Sequence, residues 1–163
     1  KTMASELGVQ TIQHTNGTDA LTIGADGSVL TPNRPTFCVR LSGDWTTANS
    51  TIVFDTELSD NGNNYNTSTG IFTAPVTGTY YFSTRAMRNY TDTSNDFALR
   101  LQKNGTTELG YTNTHINGGY TFTGGEALLD LSSGDEVSIY WASSGNIKGG
   151  TNYWAYFLGY LIG

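Results

Sequence analysis

A chain of 163 residues has room for one ordinary domain and a short appendage, and 14 acidic against 8 basic residues give a net charge of -6. That balance argues against non-specific binding to nucleic acid or anionic lipid, which needs clustered Lys and Arg, so neither partner is expected. Only 13% of residues are charged, Thr, Asn and Ser make up about a third and Gly contributes 20. Such residues disfavour helix interiors and suit strands, turns and loops, which points to an all-β protein with a polar, weakly charged surface. No run approaches the ~20 apolar residues that span a bilayer, and the start lacks the regions of a signal peptide, so no membrane insertion is expected. The single Cys38 excludes an intramolecular disulfide and reads as a small buried hydrophobe on the strand face opposite Phe37, Val39 and Leu41.

Residues 1–35 differ from the rest. Met3 to Leu7 has the make-up of one helical turn. Then Thr11 to Thr15, Ala20 to Ile23 and Ser28 to Leu30 give three very short strand-like pieces separated by Asn16-Gly17 and Asp26-Gly27, strong hairpin dipeptides. No piece can bury much alone, so the segment is expected to pack on the main domain or wind with copies of itself into a stem or anchor. Pro32 and Pro35 break any element and set the boundary. Strands follow at Thr36 to Leu41, Thr51 to Leu58, Ile71 to Thr73, Gly78 to Arg88, Phe97 to Lys103, Thr107 to Thr112, Gly119 to Leu131, Glu136 to Ser143 and Tyr153 to Ile162, with turns rich in Gly, Asn, Asp and Ser between them. This pattern predicts a β-sandwich or barrel over residues 36–163.

The last strand is apolar on both faces: Trp154, Tyr156, Leu158, Tyr160 and Ile162 on one, Tyr153, Ala155, Phe157, Gly159 and Leu161 on the other. A partner chain is the simplest cover for the second face; a loop of the same chain is the alternative.

Chemistry is sparsely supplied. His14 and His115 are the only histidines and both read as surface residues, so neither a zinc pattern nor a catalytic constellation is present and the chain reads as a non-enzyme without catalytic residues. Asp55, Glu57 and Asp60, and Asp92 with Asp96, offer hard oxygen ligands to calcium but lack the spacing of a calcium loop; otherwise no cofactor is expected. The long loops carry Tyr90, Tyr120 and Trp154 amid Asn, Thr and Gly, a combination suited to stacking on sugars, which makes a glycan a candidate partner.

Several motifs in order, namely Phe37, Ile52-Val53-Phe54 with Asn61 and Tyr65, then Gly70, Phe72, Pro75, Gly78, Tyr80 and Phe82, then Asn104-Gly105, Leu129 to Val137, and Phe157, Gly159 and Leu161, resemble the C1q-like family of jelly rolls, which shares its trimeric fold with tumour necrosis factor ligands. The resemblance implies a ten-stranded jelly-roll β-sandwich assembling as a homotrimer. It puts Tyr80 and Phe82 in the core and Tyr81 on the opposite face, and sets Phe157, Gly159, Leu161 and Tyr81 at the trimer interface, so that Gly159→Arg should prevent assembly. Members sometimes bind calcium near the threefold axis. Residues 1–35 lack the Gly repeat of a collagen stalk. Instead residues 11–35 resemble short-strand linkers of bacteriophage tail-fibre and other virion proteins, particularly of marine and cyanobacterial phages. That likeness implies a virion structural protein made in the host cytoplasm, a knob of a fibre, spike or capsid protrusion serving host attachment or contact with other virion proteins. A capsid decoration protein and an extracellular C1q/TNF-like ligand are the alternatives.

Overall fold

The computed structural model describes residues 8–88, 96–114, 120–143 and 145–163, with only the backbone of Asp96, Asn113 and Thr114. They contain fourteen strands: β1 (Thr11–Gln13), β2 (Asp19–Ile23), β3 (Val29–Leu30), β4 (Thr36–Arg40), β5 (Ser50–Thr51), β6 (Thr56–Asn61), β7 (Tyr65–Asn66), β8 (Ile71–Thr73), β9 (Gly78–Met87), β10 (Asp96–Lys103), β11 (Thr106–Thr114), β12 (Phe122–Leu131), β13 (Glu136–Trp141) and β14 (Tyr156–Leu161). The helical turn expected at Met3 to Leu7 lies outside the described residues. The chain divides into two compact units between Arg34 and Pro35.

The first unit is one antiparallel sheet in the order β1-β2-β3. Its turns are made by the Asx and Gly residues that the sequence puts there. Gly17 at φ 88° donates to the His14 carbonyl, and Gly27 at φ 82° donates to the Gly24 carbonyl. Beside them the Asn16 and Asp26 side chains accept from the amides of Thr18 and Ser28.

The second unit is a sandwich of two sheets with every pair antiparallel. One runs β11-β10-β13-β8-β7 with β5 added beside β13; the other runs β12-β9-β14-β4-β6. Consecutive strands repeatedly cross between sheets, the winding of a jelly roll. The run Thr51 to Leu58 is not the single strand that its composition suggests. Thr51 pairs with Tyr140 in the first sheet and Thr56 with Arg40 in the second, so Ile52 to Asp55 is the crossing, with Ile52 and Phe54 fully buried. Gly70, at φ 78°, sits where a Cβ would come 2.3 Å from the Ile52 carbonyl oxygen, so no other residue fits against this crossing. The last strand also starts later than expected, at Tyr156, because Gly150 (φ 121°) and Tyr153 (φ 56°) turn the chain first.

Aromatic rings fill the space between the sheets. Phe37 is at their centre, with ring centroids 5.2 Å from Tyr65, 4.8 Å from Phe72 and 4.9 Å from Phe157. Tyr80 and Phe82 join them, fully buried, while Tyr81 points to the opposite face.

The segment LDLSSGDEV closes one end of the sandwich. Asp135 accepts from the Asn104 amide at 2.8 Å and the Ser132 backbone at 2.8 Å, and pairs with Lys103 at 3.0 Å. Asn104 and Gly105, both at positive φ, form the β10–β11 hairpin turn, so one residue makes the turn and fixes the carboxylate. The Asn104 bond first, then those of Ser132 and Lys103, hold the carboxyl at about 2, below the ordinary 3.8. A depressed carboxylate stabilises the fold above the unfolded value and loses that contribution as pH falls through the folded one. Asp135→Asn should therefore melt below the wild type at pH 7, with the gap shrinking between about pH 4 and 2. A gap that stays constant over this range, in thermal melts, would count against the assignment.

Candidate functional site

The outer face of the β12-β9-β14-β4-β6 sheet carries the side chains that period-two alternation turns away from the core. Register sorts them into cross-strand rows. Nearest Pro35 the row is Leu128, Tyr81, Tyr160 and Thr36. The next is Glu126, Ser83, Leu158 and Cys38, and the one beyond is Gly124, Arg85, Tyr156 and Arg40.

The nearest row is largely apolar and open. Leu128 is 63% exposed and Tyr160 39%, with the Tyr81 and Tyr160 rings 5.1 Å apart. Burial pushes the Tyr81 hydroxyl above its ordinary pKa, helped by its hydrogen bond to Glu126. Cys38 stands here half-buried, its thiol pushed up by burial, as a small hydrophobe.

This arrangement corrects the facing of the last strand. Phe157 is fully buried within its own chain, and a Cβ on Gly159 would lie 2.6 Å from the Phe82 ring and 2.8 Å from Phe37. Leu161 also packs on this core. Phe157, Gly159 and Leu161 thus point into the sandwich, and the outward residues of β14 are Tyr156, Leu158 and Tyr160. Tyr81 does lie on the outer face with them.

The far end is different in kind. The Arg85 guanidinium lies 4.6 Å from the Phe122 ring centre and 5.6 Å from that of Tyr156. Gly124 stands opposite Arg85 because a Cβ there would come 2.1 Å from the Thr84 carbonyl oxygen, so this row has no side chain on β12. A cavity of about 420 Å³ results, lined by Arg85, Phe122, Glu126, Tyr156, Ser83 and Thr112 among others. Nothing in the linear sequence groups these residues, because positions 85, 122 and 156 meet only through strand pairing. The Gly124-Gly125 pair inside a strand run was the one available signal.

Of the loop aromatics, Tyr120 and Trp154 are brought together as parallel rings 6.4 Å apart, with Tyr120 65% exposed. Tyr90 lies outside the described residues, as do His115 and Asp92. The loop before Trp154 is pinned: Gly149 donates to Asp44 at 3.0 Å, Lys148 pairs with Asp44 at 3.2 Å, and Trp45 bridges Ile147. Of the acidic residues considered for calcium, Asp55 and Asp60 are taken up by backbone amides. Asp55 accepts from the Ser42 backbone at 2.7 Å, and Asp60 from the Asn64 and Tyr65 amides at 3.0 and 2.8 Å. Among the described residues no three His, Cys, Asp or Glu side chains converge as metal ligands. His14, exposed, accepts the Asn16 amide at 3.3 Å.

A two-sheet jelly roll with an open outer face defines a class, and comparison with known proteins gives it a family. Residues 36–162 match the C1q domain, and the chain belongs to that family. It is 30% identical over 128 residues to human complement C1q tumor necrosis factor-related protein 3, covering 77% of this chain and 50% of the relative. The mouse protein of the same name matches to the same extent, 30% over 128 residues. The chain thus spans about half the length of the curated relatives it matches. Among solved structures, the globular domain of zebrafish complement 1qA superposes with a TM-score of 0.65 at 26% identity, over 79% of this chain and 98% of that one. Murine APRIL, at 0.62 and 10% identity over 79% and 99%, shares the fold alone. The β-sandwich expected from the residues, and the jelly roll of C1q/TNF type that the resemblance implies, is the fold found.

Proposed function

We propose that this chain is a non-catalytic head that assembles as a homotrimer through the near rows of the outer face, with residues 1–35 as its stem or anchor, and that it serves in a virion as the knob of a fibre, spike or capsid protrusion. The observation that carries the assembly is the open row of Leu128, Tyr81 and Tyr160, where a half-exposed aromatic pair and a leucine lie side by side. A heterologous contact of this kind closes into a ring when three copies meet. The virion setting is supported by the short-strand character of β1 to β3 and by a fold that needs no disulfide, which suits a reducing cytoplasm. Three copies of a weak site would raise avidity for a repetitive host surface. The likeness to C1q tumor necrosis factor-related protein 3 favours a second reading, an extracellular ligand.

Sedimentation velocity at micromolar concentration should return three times the 17.6 kDa chain mass. A monomer would overturn the assembly. Antibody against the chain should decorate purified virions of the source phage; an antibody that finds no virion protein gives the second reading its place.

A further inference from the structure

Residues 8–34 form a sheet with one apolar face and no buried core. Cross-strand pairing sets Ile12 opposite Leu21 and Ile23 opposite Val29, and alternation along β2 turns Leu21 and Ile23 the same way. One face therefore carries Ile12, Leu21, Ile23 and Val29, four aliphatic side chains side by side. The other carries Thr11, Ala20, Thr22 and Leu30. Asp19 ends the apolar face, and its carboxylate accepts from the Gln13 amide at 2.6 Å, so its charge is engaged at the rim. Ile12 is 48% exposed and Val29 62%, and none of residues 8–34 is buried. The apolar face of a sheet has to be covered by another element.

The cover follows from what the chain itself supplies. Units below about 40 residues hold together through disulfides, metals or oligomerisation. This one has no cysteine and, among the described residues, no cluster of metal ligands, which leaves oligomerisation. The unit joins the sandwich between Arg34 and Pro35. Thr36, the next residue, stands in the row of Leu128, Tyr81 and Tyr160 assigned above to contact between copies. Residues 31–34 reach at most about 14 Å, so three heads in contact hold three such sheets at an effective concentration on the order of millimolar. No separate partner has that advantage. An anionic membrane surface is disfavoured by charge: residues 8–34 carry Asp19 and Asp26 against Arg34, a net of -1, with no Lys, Trp or Phe.

We propose that the Ile12, Leu21, Ile23 and Val29 faces of three copies pack together about the threefold axis, and that the β1-β2-β3 unit reaches its full stability only in that assembly. The contact rests on the trimer proposed above and deepens it, as a second and weaker clasp. Four aliphatic side chains per copy do not hold the chains together once the heads part.

The test uses the full chain. Ile12 and Val29 lie on edge strands with β2 between them, so within one chain they are two strand spacings apart, roughly 9–10 Å, beyond disulfide reach. Ile12→Cys/Val29→Cys, oxidised with copper phenanthroline at micromolar concentration, should give covalent dimers and trimers linked through the introduced thiols, as read by peptide mass spectrometry. Ile12→Cys/Leu30→Cys, with the second thiol on the opposite face, should do so at least tenfold more slowly. Hydrogen exchange gives a second reading at the Ile23 and Gly24 amides, which donate to the Gln10 and Ser28 carbonyls at 2.7 and 2.8 Å. Val29→Asp should speed their exchange at least tenfold while the sedimenting mass stays that of a trimer, and Leu30→Asp should not. Leu128→Glu, which parts the heads, should speed it as much. The proposal is overturned if the two cysteine pairs cross-link alike, or not at all, in a chain that sediments as a trimer; the face then belongs to a different protein. It is overturned too if these amides stay protected in a Leu128→Glu monomer, which makes the cover part of the same chain. A wild-type chain that sediments as a monomer removes the head trimer and this contact with it, so the sedimenting mass tells the two failures apart.

Discussion

Gly159→Ala is expected to lower the melting temperature by roughly 4–12 °C, the result of about 1–3 kcal/mol of overpacking in a chain of this size. The new methyl would stand 2.6 Å from Phe82 Cδ1 and 2.8 Å from Phe37 Cε1. Neither ring can step aside: Phe37 is stacked on Phe72 at 4.8 Å, and Phe82 lies 5.7 Å from Phe72 and 5.8 Å from Phe157. Gly159 has φ outside the left-handed region, so its role is space, and the effect should scale with side-chain size. Gly159→Arg should fail to fold, and so cannot report on assembly. The folded fraction of Gly159→Ala should sediment as the wild type does. An unchanged melting temperature would mean that the rings repack at no cost, contrary to the geometry.

Leu128→Glu should separate the copies with little effect on the single chain. Leu128 is 63% exposed within its own chain, and surface changes of that sort shift stability by about 0.5 kcal/mol or less. In the proposed trimer each copy would bury an added charge beside Asp130 and Glu126 of its own strand, with no cation in its row. An unpaired buried charge costs several kcal/mol. Sedimentation velocity at micromolar concentration should then show the monomer, with the circular dichroism of a folded sandwich. Persistence of the trimer would move the interface to another face. Tyr160→Glu, in the same row, gives a second reading of the same contact.

Much of the fold was legible because turn chemistry and alternation agree along the chain. The turns at Asn16-Gly17 and Asp26-Gly27 and the strand expected from Gly78 to Arg88 follow from local residues, whereas the inward facing of Tyr80 and Phe82 followed from the family resemblance. Two features were not legible. The residues Thr51 to Phe54 are apolar or β-branched into the crossing between sheets, with no Gly or Pro among them, so composition gave no sign of the break at Ile52 to Asp55. In the last strand, alternation sorted the residues into two sets but could not say which set faced inward, since both are apolar. The partners decide it: Gly159 lies opposite both Phe37 and Phe82, whose rings need the volume that a side chain there would take. The cluster at Arg85 was hidden for a third reason, that it joins positions separated by more than thirty residues through pairing alone.

The place where the sandwich begins adds a mechanical consequence. Leu161 donates to the Pro35 carbonyl at 3.0 Å, and Thr79 donates to that of Gly163 at 2.9 Å, so the start of β4 and the finish of β14 lie side by side. Tension applied between those two ends would peel β4 from β14 one hydrogen bond at a time. Tension between Pro35 and the start of β14 at Tyr156 runs along the strands instead. It loads the five β4–β14 residue pairs together, in shear, the direction in which a small sheet yields last.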